Sequence, residues 1–253
     1  MDENLENRFW EIDFLRGIAI LMMILFHFLF DITYFGEYDF NVYSGLWLYF
    51  ARATAAIFIL LVGISITLSF SRAKIKQKTG KKLFIKYLKR GFRIFSWGLL
   101  ITLLTWIFLR NDLIIFGILH FIGISIILAY PFLELRSWNF LIGIFFISFG
   151  MYLKKFTLSF PWLIWLGLRP ENFYPLDYFP IFPWFGVILM GIFIGNLLYT
   201  NCKRRFKLPD LSNFPLIGAS CFLGKYSLLI YLIHQPILLA LLHFFGIINI
   251  GFL

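Results

Sequence analysis

The chain carries a histidine and an aspartate one helical turn apart inside an otherwise apolar stretch. Residues 16–35 read RGIAILMMILFHFLFDITYF, in which four positions separate His27 from Asp31. On a helix, side chains at i and i+4 lie close enough to touch, and a carboxylate beside an imidazole fixes its tautomer and raises its basicity. A general base needs this arrangement, so we predict that His27 is a catalytic base and Asp31 its partner. A buried pair that only holds two helices together is the alternative, and the sequence leaves it open.

Three more polar side chains share the helix face on which His27 and Asp31 lie. At about 100° per residue, Asp13, Arg16 and Tyr34 fall with them inside an arc of about 60°. Asp13 and Asp31 are about 27 Å apart along the axis at ~1.5 Å rise per residue, close to the hydrocarbon thickness of about 30 Å. Ionisable groups inside a membrane span face protein or a water-filled cavity and are functional candidates. Asp13 and Arg16 are either a simple ion pair at the membrane surface or part of a cofactor-binding site.

Arg52 and His120 are embedded in the apolar stretches that follow. Arg52 lies in GLWLYFARATAAIF, where a guanidinium either reaches the membrane interface along its apolar stem or pairs with a carboxylate such as Asp31. His120 lies in FGILHFIGIS between Gly117 and Gly123, and such small residues let neighbouring helices approach closely. We predict that Arg52 and His120 bind substrate, while a histidine that only bridges two helices remains open.

His234 and Asp177 complete the set of candidate site residues. His234 lies in LGKYSLLIYLIHQPILLA, where Pro236 removes a backbone donor and frees a carbonyl in the preceding turn. A kink at mid-membrane beside a histidine and a glutamine is typical of a cavity. Asp177 lies in a loop rich in aromatic residues such as Trp162 and Trp165, which indicates either a membrane-interface belt or a lid that stacks on sugars. We predict that His234 and Asp177 bind substrate.

No serine or cysteine stands in the setting of a recognisable nucleophile. The arrangement therefore favours direct proton abstraction from an acceptor over a covalent intermediate. The two cysteines, Cys202 and Cys221, form neither a metal-binding nor a CxxC pattern, so we expect reduced thiols and no metal.

The composition is that of an integral membrane protein. Of the 253 residues, 60% are hydrophobic and 14% are charged, whereas soluble domains are about a quarter charged. The mean hydropathy is +0.83, and one water-soluble core could not bury this much apolar surface. The net charge of +10 does not indicate nucleic acid as a partner, because the basic residues lie in loops between apolar segments.

The length of the apolar runs predicts about seven transmembrane helices in an all-α polytopic bundle, which forms a single domain over 1–253. A span needs about 20 apolar residues. The predicted spans are 13–35, 45–70, 84–109, 112–131, 138–155, 181–199 and 225–246. The run FTLSFPWLIWLGL at 156–168 is too short and contains Pro161, so we predict a short interfacial or re-entrant segment there.

The basic residues are distributed unequally between the two sides of this bundle. Of the 23 Lys and Arg residues, 18 fall on the side of the N-terminus and four on the other. The positive-inside rule therefore predicts a multi-pass protein of the cell membrane with its N-terminus in the cytoplasm and its C-terminus outside. The basic stretch 72–93 either touches anionic headgroups or holds the phosphates of a cytoplasmic nucleotide or coenzyme.

The chain resembles one known family in several blocks that occur in the family's order. The opening of the heparan-alpha-glucosaminide N-acetyltransferase catalytic-domain family resembles EIDFLRGIAILMMILFHFLFD, residues 11–31. Both have an Asp-x-x-Arg-Gly start and then a His and an Asp late in the same helix. Later blocks of the family resemble FILLVGISITLSFSR (58–72), FGILHFIGIS (116–125), DYFPIFPWFGVILMGIFIG (177–195) and LGKYSLLIYLIHQP (223–236).

This resemblance implies a membrane acyltransferase that takes acyl-CoA from the cytoplasm and acylates an acceptor on the far side. It implies that His27 is the base, Asp31 its partner, and Asp13 and Arg16 part of the family's opening. We therefore expect transfer of an acyl group, in first place acetyl, to an amine or hydroxyl of a sugar-containing or glycolipid acceptor in the bilayer. A proton-coupled transporter using His27, Asp31 and His234 is the alternative, a non-catalytic membrane subunit is a third, and a homo-oligomer stays open.

Overall fold

The structure of the chain is a computed structural model that describes residues 8–36, 38, 40–76, 80–108, 113–171, 173 and 175–249. These residues form α-helices and one very short antiparallel hairpin. The elements are α1 (Trp10–Tyr34), α2 (Gly45–Ile75), α3 (Gly80–Phe108), α4 (Ile118–Leu128), α5 (Trp138–Leu153), α6 (Ile181–Leu198), β1 (Tyr199–Thr200), β2 (Lys203–Arg204), α7 (Pro215–Lys225) and α8 (Ser227–Phe244). Each of the seven predicted spans contains a helix.

Five of these helices are long and apolar enough to cross a membrane, namely α1, α2, α3, α6 and α8. The all-α membrane class is therefore confirmed, but the count of seven spans is not. Helix α4 has 11 residues and α5 has 16, which at ~1.5 Å per residue is about 17 Å and 24 Å. Helix α4 is short because it starts only at Ile118 and gives way to a 3-10 turn over Tyr130–Phe132.

Helix α7 was not predicted, because its residues were placed in a loop that reached to the start of the last span. The structure breaks the segment at Tyr226 (φ −100°, ψ 17°), which separates α7 from α8. Pro215 stands at the start of α7, where a missing N–H is tolerated. Ser220 and Gly224 make one side of α7 small enough for another helix to approach.

The segment 156–168 forms no α-helix, in agreement with its exclusion from the predicted spans. It contains a single 3-10 turn over Ile164–Leu166, and the Tyr178 hydroxyl donates a hydrogen bond of 2.6 Å to the Ile164 carbonyl. Trp162 is 79% exposed. Its placement at the membrane interface stays a prediction.

The chain divides into two compact units, Met1–Leu61 with Leu208–Leu253, and Val62–Lys207. In the first unit, α1 packs against α7 and α8. A Cβ at Gly17 would overlap the backbone of Ser220, and one at Gly224 would overlap the backbone of Asp13. The absence of these two side chains therefore sets the close approach of α1 and α7. The prediction of one domain over 1–253 stays a prediction.

In the second unit, glycines bring the backbones of neighbouring helices together in the same way. Gly123 of α4 meets the α3 backbone at Phe95, and Gly186 of α6 meets the carbonyl of Gly143 in α5. Gly191 and Gly195 lie against the C-terminal part of α2. Backbone contact through small residues is typical of membrane helices.

Candidate functional site

His27 lies on α1 with one ring nitrogen bonded and the other available. Its Nδ1 is 2.9 Å from the carbonyl oxygen of Met23. A carbonyl only accepts, so Nδ1 carries the proton and Nε2 carries a lone pair. Side chains on a helix lean toward its N-terminus, which places the ring over the turn that contains Met23. The half-buried His27 therefore presents Nε2 as its basic atom.

The predicted contact between His27 and Asp31 is not formed. Within the described part of the chain, the Asp31 side chain has one hydrogen bond, in which Gln235 Nε2 donates to Asp31 Oδ1 at 2.5 Å. Because the His27 ring leans back to Met23, its tautomer is set by the backbone and not by a carboxylate. Asp31 is fully buried and pairs with α8 instead.

His234 of α8 lies directly against His27. The two ring centroids are 4.8 Å apart and the rings are almost perpendicular, at 87°. His234 Nδ1 is 2.7 Å from the Tyr231 carbonyl oxygen, so this ring also carries its proton on Nδ1. Its Nε2 is buried without a hydrogen-bond partner among the described residues. Two basic nitrogens are thus presented from facing helices.

Two further polar atoms at the interface of α1 and α8 are also buried without a described partner, Asp31 Oδ2 and Gln235 Oε1. Gln235 must present its nitrogen to Asp31, which leaves its oxygen as an acceptor. An unsatisfied buried group costs about 1–3 kcal/mol. The set of acceptors is therefore suited to a ligand that brings N–H or O–H donors.

Gln235 was not among the predicted site residues. Its only signal in the sequence was its position between His234 and Pro236 in an apolar helix. The structure adds it to the site because it is the partner of the buried Asp31 carboxylate.

At the other end of α1, Asp13 is held by two arginines. Arg8 donates from Nε and Nη2 to the two carboxylate oxygens, both at 2.7 Å, and Arg16 donates from Nη1 at 3.2 Å. The hydrogen bonds to Asp13 raise the pKa of the Arg8 guanidinium. The predicted ion pair of Asp13 and Arg16 is therefore present, and their role in cofactor binding stays a prediction.

Arg52 of α2 is exposed and makes no ion pair with a described residue. Of the two alternatives for this guanidinium, pairing with Asp31 is not formed, because Gln235 is the partner of that carboxylate. A role of Arg52 in substrate binding stays a prediction.

His120 has both ring nitrogens engaged at the start of α4. The Gly117 N–H donates to His120 Nδ1 at 3.3 Å, so the proton of this ring is on Nε2. Nε2 lies 3.3 Å from Thr102 Oγ1, whose own proton goes to the Ile114 carbonyl at 2.6 Å. The tautomer of His120 is thus the reverse of that of His27, and no lone pair is left for a base.

Asp177 lies at the same helix start. The Ile118 N–H donates to Asp177 Oδ2 at 3.0 Å, and a carboxylate at a helix N-terminus is favourable. Burial nevertheless raises the pKa of the Asp177 carboxyl to about 6. These contacts are enough to explain where His120 and Asp177 lie without a ligand. They do not test the predicted role of either residue in substrate binding.

The structure thus brings His27, Asp31 and His234 together in the first unit, with Asp13 and Arg16 at the far end of the same helix. His120 and Asp177 both lie at the start of α4 in the second unit. Among the described residues, no group of three or more His, Cys, Asp or Glu side chains is arranged to hold a metal ion.

Comparison with known proteins gives one match. The model of a protein family described as "Heparan-alpha-glucosaminide N-acetyltransferase, catalytic" matches residues 8–236, a range that includes every predicted site residue. No curated protein and no solved structure matches the chain.

Proposed function

The chain belongs to the heparan-alpha-glucosaminide N-acetyltransferase catalytic family, and from this premise we propose that it is a membrane-embedded acyltransferase. It transfers an acyl group from cytoplasmic acyl-CoA to an amine or hydroxyl of an extracytoplasmic, sugar-containing acceptor. Acetyl is the leading candidate for the acyl group. Membership of the family indicates acetyltransferase activity, and nothing in the comparison favours the proton-coupled transporter.

The observation that carries this proposal is the orientation of the His27 ring. Its Nδ1–H is engaged by the Met23 carbonyl, so Nε2 is the atom that accepts a proton from the acceptor. A positioned general base contributes about 10²–10⁴-fold to a rate. Asp31 and His234 line the same interface of α1 and α8 and orient the acceptor there.

From a neutral amine or a hydroxyl, the reaction needs one proton transfer and one exchange of bonds, and an amine that binds as its ammonium first loses one proton to water. The acceptor's nitrogen or oxygen attacks the thioester carbon, the new C–N or C–O bond forms, and the C–S bond breaks. The proton of the acceptor goes to His27 Nε2, and the sulfur leaves with the electron pair of the broken bond. The activated acyl group supplies the driving force, and the chain's own residues supply position and proton transfer.

The count of unfilled acceptors favours an amine over a hydroxyl. Asp31 Oδ2, His234 Nε2 and Gln235 Oε1 are buried without a described partner, and His27 Nε2 adds a fourth lone pair. A hydroxyl brings one proton, whereas an amine brings two and an ammonium three together with a charge opposite to that of Asp31.

The donor enters from the cytoplasmic end of α1 in this proposal. The positive-inside rule assigns that end to the cytoplasm, where acyl-CoA is made. Asp13 there holds the guanidinium groups of Arg8 and Arg16 in place. Guanidinium groups in a fixed orientation are suited to the phosphates of a coenzyme.

A transfer assay with the whole chain in liposomes tests this function. Labelled acetyl-CoA is given with glucosamine or with methyl glucoside, which offers hydroxyls but no amine. We expect chain-dependent labelling of glucosamine, release of free CoA thiol in equal amount, and much less labelling of methyl glucoside. Labelling of neither acceptor by a folded chain would overturn the proposal, and equal labelling of both would overturn the preference for an amine.

A further inference from the structure

We propose that His234 is a second catalytic residue, which returns to the leaving sulfur the proton that His27 removes from the acceptor. This inference rests on the proposed function and adds to it a defined path for the proton. It assigns to the two histidines different steps of one transfer.

The tautomers of the two rings are the first argument. Both rings donate Nδ1–H to a backbone carbonyl of their own helix, His27 to Met23 and His234 to Tyr231. Both therefore keep a lone pair on Nε2. A histidine that only holds helices together uses both ring nitrogens, as His120 does with Gly117 and Thr102.

The contact between the rings is the second argument. With 4.8 Å between centroids and an edge-to-face arrangement, the two rings are in contact, and His234 Nε2 has no hydrogen-bond partner among the described residues. Two neighbouring imidazolium ions would repel each other, so the pair holds one extra proton at a time. Asp31 Oδ2 is buried without a described partner on the same pair of helices.

The steps balance without a further reactant. The acceptor amine attacks the thioester carbon and gives its proton to His27 Nε2, which becomes an imidazolium. A water molecule bound beside the two rings takes this proton from His27 and gives one of its own to His234 Nε2, and His27 is neutral again. As the C–S bond breaks, His234 gives the proton to the sulfur, the thiol leaves, and both rings are back in their starting tautomers.

Two substitutions separate this role from a structural one. The nitrogen of His234→Asn occupies the place of Nδ1 and donates to the Tyr231 carbonyl, but nothing occupies the place of Nε2. The nitrogen of His234→Gln reaches the place of Nε2 but cannot give up a proton at neutral pH. His243→Asn is the matched control, since His243 lies in the last turn of α8 with Nδ1 3.3 Å from the Ile248 carbonyl oxygen.

The test compares two acetyl donors, acetyl-CoA and the acetyl thioester of 4-nitrothiophenol, whose acidic thiol leaves without a proton. We expect both variants of His234 to lose about 10²-fold or more with acetyl-CoA, the scale of general acid catalysis. With the nitrothiophenol ester, the transfer rate of both variants falls less than about 10-fold. The rate of His27→Gln stays low with both donors.

The outcomes distinguish this inference from the function on which it rests. If the unaltered chain transfers acetyl but His234→Asn is as fast, His234 is structural and the inference fails alone. Equal loss with both donors in a folded variant also overturns it, because the thiol's acidity would then not matter. If the unaltered chain transfers nothing from either donor, the proposed function fails as well.

Discussion

At the scale of single residues, the partner of one ring nitrogen decides what the other can do. His27 and His234 bond through Nδ1 to carbonyl oxygens and keep Nε2 as a base. His120 accepts on Nδ1 and donates from Nε2. Three histidines in similar apolar surroundings are thus assigned to two different roles by their neighbours.

The Asp31 carboxylate is expected to matter for binding of a positively charged acceptor. In Asp31→Asn, the side-chain oxygen still accepts from Gln235, but the negative charge is lost. Hydrogen bonds to charged groups contribute about 1.5–3 kcal/mol, so KM for glucosamine rises about 10- to 100-fold while kcat changes less. Steady-state acetyl transfer measures both constants. Glu171→Gln, an exposed carboxylate removed, is the control, and an unchanged KM in Asp31→Asn would contradict the role.

Asp177 is expected to make thermal stability depend on pH. Burial raises the pKa of this carboxyl from 3.8 to about 6, so the folded chain holds the proton more tightly than the unfolded chain. The stability from this group is present below the unfolded pKa and is lost as pH rises through about 6.

In Asp177→Asn, the amide oxygen still accepts from Ile118 but does not titrate. In detergent, the Tm of the variant minus the Tm of the unaltered chain therefore increases from pH 5 to pH 7.5. A difference that stays constant or falls would show that the carboxylate charge is not disfavoured at this helix start.

These residues show how much of the site could be predicted from the sequence. The spacing of Asp13, His27 and Asp31 predicts a polar helix face, and the structure does turn this face toward α7 and α8. The direction in which a ring leans is not encoded by spacing, so the prediction of a contact between His27 and Asp31 was wrong. The contact of His27 with His234 joins positions far apart in sequence, and a single sequence has no signal for it.

At the scale of helices, α1 is the element that carries the proposed site, and its close packing against α7 fixes its orientation. A Cβ at Gly17 or Gly224 would overlap the backbone across the α1–α7 contact. Backbone cannot move aside as a flexible side chain does, so the helices must separate. The orientation of α1 therefore depends on these two glycines.

Gly224→Ala is expected to lower the stability of the chain. Overpacking typically costs about 1–3 kcal/mol, and about 2–4 °C in Tm accompanies each kcal/mol in a chain of this size. Thermal unfolding in detergent measures the change. Leu21→Ala, on an exposed part of α1, is the control and leaves Tm nearly unchanged. A Tm of Gly224→Ala equal to that of the control would show that the contact tolerates a methyl group.

The helices themselves were predicted more completely than their ends. Long apolar runs are a strong signal, and a helix formed in each of the seven. The start of α4 depends on contacts of Asp177 and His120, which no local pattern indicates. Helix α7 is mixed in polarity and short, and it is explained by its packing on α1 rather than by its own sequence.

At the scale of the whole molecule, the charge asymmetry predicts how the chain lies in the membrane. Cysteine labelling in intact cells tests this in a chain with Cys202→Ser and Cys221→Ser. We expect a membrane-impermeant maleimide to label Lys154→Cys from outside, and to label Lys203→Cys only after the membrane is opened, because the positive-inside rule places them on opposite sides. The reverse pattern would place the N-terminus outside and remove the proposed route for cytoplasmic acyl-CoA.

The central claim is that the Nε2 atom of His27 removes the proton of the acceptor during acyl transfer. The most direct measurement compares the initial rate of acetyl transfer to glucosamine in His27→Gln and in His243→Gln, at equal amounts of folded chain in liposomes. We expect a loss of about 10²–10⁴-fold in His27→Gln, the range of general base catalysis, and a rate near that of the unaltered chain in His243→Gln. An undiminished rate in His27→Gln would contradict it.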